Sequence, residues 1–228
     1  MSFRFPLSGV SSFPAAYCSV LLLAALAALA ALAGVTPAAA QEDGPAERPG
    51  FFSVDETSWV VRSEYNAPRD DFNRDFRDIG LATLEVQRAW TLHGPLELRT
   101  GGGITYARGS TSEPFSVEPA RAVSVLGFNG GVEARVDVIR HDQFRLFVDG
   151  SVNLLWTHGT QFPPGGTGVN GYLRAGPGGM FRLNDRIAIE AGYHFSHVSN
   201  GAGVVAHNPA YNGHGGYLSI RFTDRRRK

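Results

Sequence analysis

The sequence predicts an all-β fold: an eight-stranded antiparallel transmembrane β-barrel of outer-membrane type, with a filled polar interior. Three observations predict it. Beyond residue 50, apolar side chains recur at every second position in eight separate runs, the period of a strand with one apolar face. The seven connections alternate long, short, long, short, long, short, long, as in barrels with short periplasmic turns and longer outer loops. Ahead of the runs stands an export-type leader: Arg4 gives a sparse positive start, residues 19–35 are apolar and Ala/Leu-rich, and Thr36-Pro37-Ala38-Ala39-Ala40 offers a small-residue cleavage site before Gln41. That site favours a cleaved signal peptide over residues 1–40. An uncleaved anchor fits less well, because the run is near the lower length limit for a spanning helix and much of it is Ala.

Composition narrows the function classes. In 228 residues, 21 Lys and Arg balance 21 Asp and Glu, so the basic excess of a nucleic-acid surface is absent. The single Cys18 precludes an intrachain disulfide or a Cys-based metal site, and it precedes the apolar run, unlike a lipoprotein cysteine. The histidines are scattered without carboxylate or Cys partners at ligand spacing, and calcium and nucleotide motifs are absent. No metal or cofactor is expected. Mean hydropathy is −0.11, a value typical of soluble proteins, but transmembrane strands hide in such averages because only alternate residues meet lipid.

Residues 41–56 mix Glu, Asp, Pro and Gly without periodicity and read as a flexible lead-in. The barrel is expected over 57–222, followed by a basic tail over 223–228. The first strand, 58–65, sets Trp59, Val61 and Tyr65 against Arg62 and Glu64; a long charged loop follows over 66–76. The second, 79–91, sets Ala82, Leu84, Val86 and Trp90 against Glu85 and Gln87, with Arg88 breaking the apolar face near the strand end. A short His93-Gly94-Pro95 turn leads to the third, where Leu96, Leu98, Ile104 and Tyr106 alternate with Glu97, Arg99 and Thr105. After a polar loop over 108–121, the fourth sets Leu126, Phe128, Val132, Ala134, Val136 and Val138 against Asn129, Glu133, Arg135 and Asp137. Beyond the Arg140-His141-Asp142 turn, the fifth carries Phe144, Leu146, Val148, Val152, Leu154 and Trp156 opposite Arg145, Asp149 and Asn153. A loop over 158–167 precedes the sixth, with Val169, Leu173, Ala175, Phe181 and Leu183 opposite Asn170, Tyr172, Arg174 and Arg182. The seventh sets Ile187, Ile189, Ala191, Tyr193 and Phe195 against Arg186, Glu190 and His194. The eighth, after a loop over 199–212, ends on Leu218, Ile220 and Phe222.

Charges of both signs recur on the polar faces, Arg186 and Glu190 among them. Facing lipid, each would cost a few kcal/mol near the midplane. An eight-stranded barrel is just wide enough for side chains to fill. A plugged interior of paired charges is therefore expected, with no pore. A secreted lipocalin-like barrel would invert the faces; the leader and the turn asymmetry favour the membrane form.

Parity also places a candidate site. His197 and Ser199 continue the lipid-facing odd set of strand seven, and Asn212 shares the face of Leu218, Ile220 and Phe222 on strand eight. The three can meet on the outer wall at the extracellular rim. A His beside a Ser can take the hydroxyl proton and create a nucleophile, and a third group would orient the imidazole. Asn200 or backbone N–H groups of the Gly-rich loop could serve an oxyanion. The blander reading is a hydrogen-bonded rim His beside an ordinary Ser-Asn-Gly turn.

His197-Val198-Ser199-Asn200, the Gly-rich segment after it and Asn208-Pro209 to Asn212 resemble the PagL family of lipid A deacylases, recognised by a His-x-Ser-Asn motif at the outer end of the penultimate strand. The segment from Gly165-Gly166-Thr167 to Gly178 and the terminal strand are similar too. The resemblance implies an outer-membrane serine esterase that removes the 3-O-linked acyl chain of lipid A and works on the outer leaflet without a cofactor. It implies His197 as base, Ser199 as nucleophile, and Asn200 with the Gly203 backbone N–H as oxyanion donors. The third triad position, Glu in the best-known member, falls on Asn212 here. His207 and His214 read as loop and rim residues. The alternative is a non-enzymatic small barrel, structural or adhesive, that keeps the scaffold.

Overall fold

The computed structural model describes residues 53–69, 77–111, 121–158, 162–200 and 210–224. The expected leader, most of the lead-in and the end of the basic tail lie outside them. Eight strands follow in chain order: β1 (Val54–Pro68), β2 (Arg77–Leu92), β3 (Leu96–Thr111), β4 (Arg121–Arg140), β5 (Phe144–Thr157), β6 (Val169–Arg182), β7 (Ile187–Ser199) and β8 (Tyr211–Thr223). Each pairs antiparallel with its sequence neighbours, and β1 pairs with β8 to close the barrel.

Burial follows the predicted parity. On β7, Ala188, Glu190, His194 and Ser196 are buried inside while Ile189, Ala191, Tyr193 and Phe195 are exposed outside. Leu154, 66% exposed, and Val138, 68%, are typical of the outer wall. Such an apolar exterior around a polar interior is stable only in lipid.

The interior is filled by charge at mid-height. Arg62 grips Glu133 with both terminal nitrogens, at 2.6 and 2.9 Å. Glu190 receives Arg99 at 3.0 Å, Arg135 at 3.0 Å and Arg221 at 2.8 Å. Arg174 bridges Glu64 and Glu85, each at 2.9 Å. His194 sits between Asp149, at 2.7 Å, and Glu64, at 3.2 Å. Buried charges persist only when paired in this way. Apolar clusters cap this layer at either end. Phe147, Met180, Ala188 and Tyr217 lie toward the short turns; Phe162, Tyr172, Val198 and Tyr211 belong to a larger cluster at the opposite end. Tyr217 lies across Gly192, where an added Cβ would come within 2.5 Å of its ring; only glycine admits that approach.

Two expectations need correction. Arg186 was expected on the interior face, but it is exposed in the turn before β7, which begins at Ile187. The expected loops were also too long: β1 continues to Pro68, β3 to Thr111, β4 starts at Arg121 and β8 at Tyr211. Toward the long connections both faces become polar or glycine-rich, so alternation fades while the backbone ladder continues. Arg88, which breaks an apolar face, stacks on Trp59 and pairs with Asp224, which also accepts from Thr57. Arg88 and Thr57 hold the Asp224 carboxyl below the ordinary carboxylate range.

Candidate active site on the outer wall

β7 reaches its outer end as Phe195-Ser196-His197-Val198-Ser199. Ser196 and Val198 point inward and are buried, so His197 and Ser199 point outward, half-buried. β8 starts with Tyr211 buried and Asn212 outward. His197 and Asn212 are direct cross-strand partners, as are Val198 and Tyr211.

This register builds a continuous relay. His197 Nδ1 lies 2.7 Å from Asn212 Oδ1, and His197 Nε2 lies 3.0 Å from Ser199 Oγ. An amide oxygen only accepts, so the network assigns the ring proton to Nδ1, which donates to Asn212. Nε2 then presents its lone pair to the Ser199 hydroxyl. This is the geometry of a serine nucleophile with its base, the base being fixed in tautomer and orientation by a third group.

The adjoining pair, Val198 and Tyr211, faces inward. Val198 and Tyr211 are fully buried, and Phe162, from the β5–β6 connection, packs its ring 5.2 Å from that of Tyr211. Asn170 Nδ2 donates to the Phe162 carbonyl at 3.0 Å. Packing inside the mouth therefore fixes the two backbones that carry the relay outside.

Around the relay, Tyr193 stands edge-on to Phe195 at 5.4 Å, and its hydroxyl is 2.5 Å from His214 Nδ1. His214, expected at the rim, sits on the outer wall opposite Phe195, two positions along β8 from Asn212 on the same face. The Arg69 guanidinium lies over the Phe195 ring at 5.6 Å. Sequence reasoning did not single out Arg69; carrying the odd parity of β1 four residues past its expected end would have found it. Asn200 directly follows Ser199 and is half-buried. Gly203 and His207 lie outside the described residues. Among the described residues, no group of three His, Cys, Asp or Glu side chains is arranged to hold a metal ion.

A family model described as "Lipid A 3-O-deacylase (PagL)" matches residues 76–221, from the end of the first connection to the last strand. The fold is similar to that of Neisserial surface protein A, with a TM-score of 0.47 at 10% identity over 73% of this chain and 96% of that one. It is also similar to the outer membrane protein AlkL, with a TM-score of 0.44 at 12% identity over 83% and 99% of the two chains. No curated protein sequence matches the chain.

Proposed function

Because the chain belongs to the lipid A 3-O-deacylase (PagL) family, we propose that it is an outer-membrane serine esterase that removes the 3-O-linked acyl chain of lipid A. The observation that carries the reading is the Asn212–His197–Ser199 relay on the apolar outer wall. A lipid-facing nucleophile suits a substrate whose scissile ester lies in the bilayer. In this reading the leader exports the chain, and the site faces the outer leaflet at the extracellular rim.

The reaction proceeds in two halves. Ser199 Oγ attacks the acyl carbonyl carbon as His197 Nε2 takes the hydroxyl proton. Asn200 and the Gly203 backbone N–H are the proposed donors to the resulting oxyanion. Collapse breaks the bond to the sugar 3-oxygen, which leaves with the proton from His197, and the acyl group stays on Ser199. Water, deprotonated by His197, then releases the fatty acid and regenerates Ser199. Asn212 holds the imidazole throughout. Being neutral, it fixes the tautomer but adds no charge opposite the imidazolium.

The test is mass spectrometry of lipid A from cells expressing the protein. One 3-O-linked acyl chain should disappear, and Ser199→Ala should restore it. Unchanged lipid A with the wild-type protein rejects the reaction. A serine-directed phosphonate separates the alternatives: labelling at Ser199 supports an esterase, and a folded barrel that resists labelling supports a non-enzymatic one.

A further inference from the structure

Arg69 is a positive charge at the site that the relay does not use. Its backbone N–H donates to the Asn212 carbonyl at 3.0 Å, which puts it on the rung of Asn212 and His197. His197, Asn212 and Arg69 thus lie on three adjacent chains of the wall, with about 10 Å between the Cα atoms of the outer two. The guanidinium meets a β7 side chain. It lies 5.6 Å from the centre of the ring of Phe195, a β7 residue two positions before His197 on the same face. The charge is held against an aromatic face, in the strip of outer wall directly beside the relay.

A guanidinium on a lipid-facing wall is costly within hydrocarbon, and the cost fades at headgroup level. At that level its planar set of five donors matches phosphate oxygens in a forked geometry. Lipid A is a phosphorylated glucosamine disaccharide, so the sugar carrying the 3-O-ester can present a phosphate about one ring's width from the scissile bond. Arg69 lies two strands away from the β7 backbone that carries Ser199, about 10 Å across the wall. We propose that Arg69 binds this sugar phosphate and thereby orients the ester over Ser199. The proposal deepens the deacylase reading and rests on it for the substrate.

The test uses the full-length protein refolded in detergent, with Ser199→Ala preventing turnover. Binding is measured to phosphorylated lipid A, to the same lipid A stripped of phosphate, and to phosphatidylglycerol. The Ser199→Ala protein should bind the phosphorylated form roughly 10- to 100-fold more tightly than the stripped form, the range for a lost charge-assisted bond. Adding Arg69→Gln should close that gap, and Arg69→Lys, which keeps the charge but loses the fork, should leave part of it. With Ser199 intact, Arg69→Gln should raise KM on phosphorylated lipid A much more than it lowers kcat. An Arg69→Gln protein that keeps the full preference for phosphate overturns the proposal. So does phosphatidylglycerol binding as tightly as lipid A, since the anion would then belong to the surrounding membrane. If Ser199 variants show Arg69-dependent phosphate binding but the wild-type protein cleaves nothing, the phosphate site stands and the esterase reading falls.

Discussion

At the scale of the residue, three side chains on two strands account for the proposed chemistry. The His197–Asn212 bond of 2.7 Å and the His197–Ser199 bond of 3.0 Å assign a separate task to each member. Ser199→Ala and His197→Ala should each lower turnover by about 10⁴-fold or more, read as acyl chain released per time. Asn212→Ala should keep the nucleophile and its base but free the imidazole to rotate, with a loss on the order of 10²–10³-fold in kcat. Asn212→Glu places a negative charge opposite the imidazolium that forms during attack, and kcat should rise above wild type. An unchanged kcat in both Asn212 variants would remove Asn212 from the relay.

At the scale of the element, β7 and β8 hold the relay because their inner faces are packed. Val198 and Tyr211 share a rung with Phe162 behind it. Phe162→Ala should cost about 3–5 kcal/mol of stability, as large-to-small changes of buried aromatics do. It should also lower kcat, because the cavity lies directly behind the β8 start that carries Asn212; urea titration and kinetics on one sample check both. At the opposite end, Asp224 ties β8 to β1 through Thr57 and reaches Arg88 on β2. Its carboxyl is depressed, so the clasp contributes above the ordinary carboxylate range and is lost as pH falls through the lowered value. The protection factor of the Asp224 amide, which donates to the Thr57 carbonyl at 2.9 Å, should therefore fall in acid, measured against the intrinsic exchange rate at each pH.

At the scale of the whole molecule, an apolar exterior and a charged interior depend on each other. Removing one member of the interior network strands several charges in a closed space. Glu190→Ala deprives Arg99, Arg135 and Arg221 of a shared carboxylate and should cost about 3–5 kcal/mol. Loss of the heat-modifiable folded band at lower urea would show it. Leu154→Arg, on the outer wall, should cost about 2–4 kcal/mol in bilayers, with the cost falling when the protein is moved to detergent.

The barrel was legible because lipid and interior impose opposite chemistry on alternate residues. Parity alone put His197, Ser199 and Asn212 outside, and the His-x-Ser-Asn motif of residues 197–200 marked the first two as a pair. Strand ends were not legible above the membrane, where Ala67, Pro68 and Gly213 carry no alternation but still pair. Arg186 was misplaced for a related reason: parity says nothing about where a turn begins. The sequence by itself determined which residues face lipid, because a two-residue period is a local property of the chain. Only the tertiary structure decided that Asn212 meets His197, that Phe162 packs behind the adjoining Val198–Tyr211 pair, and that the Arg69 guanidinium lies over the Phe195 ring. Those contacts depend on cross-strand register and barrel closure, which join residues far apart in sequence and leave no local periodic trace.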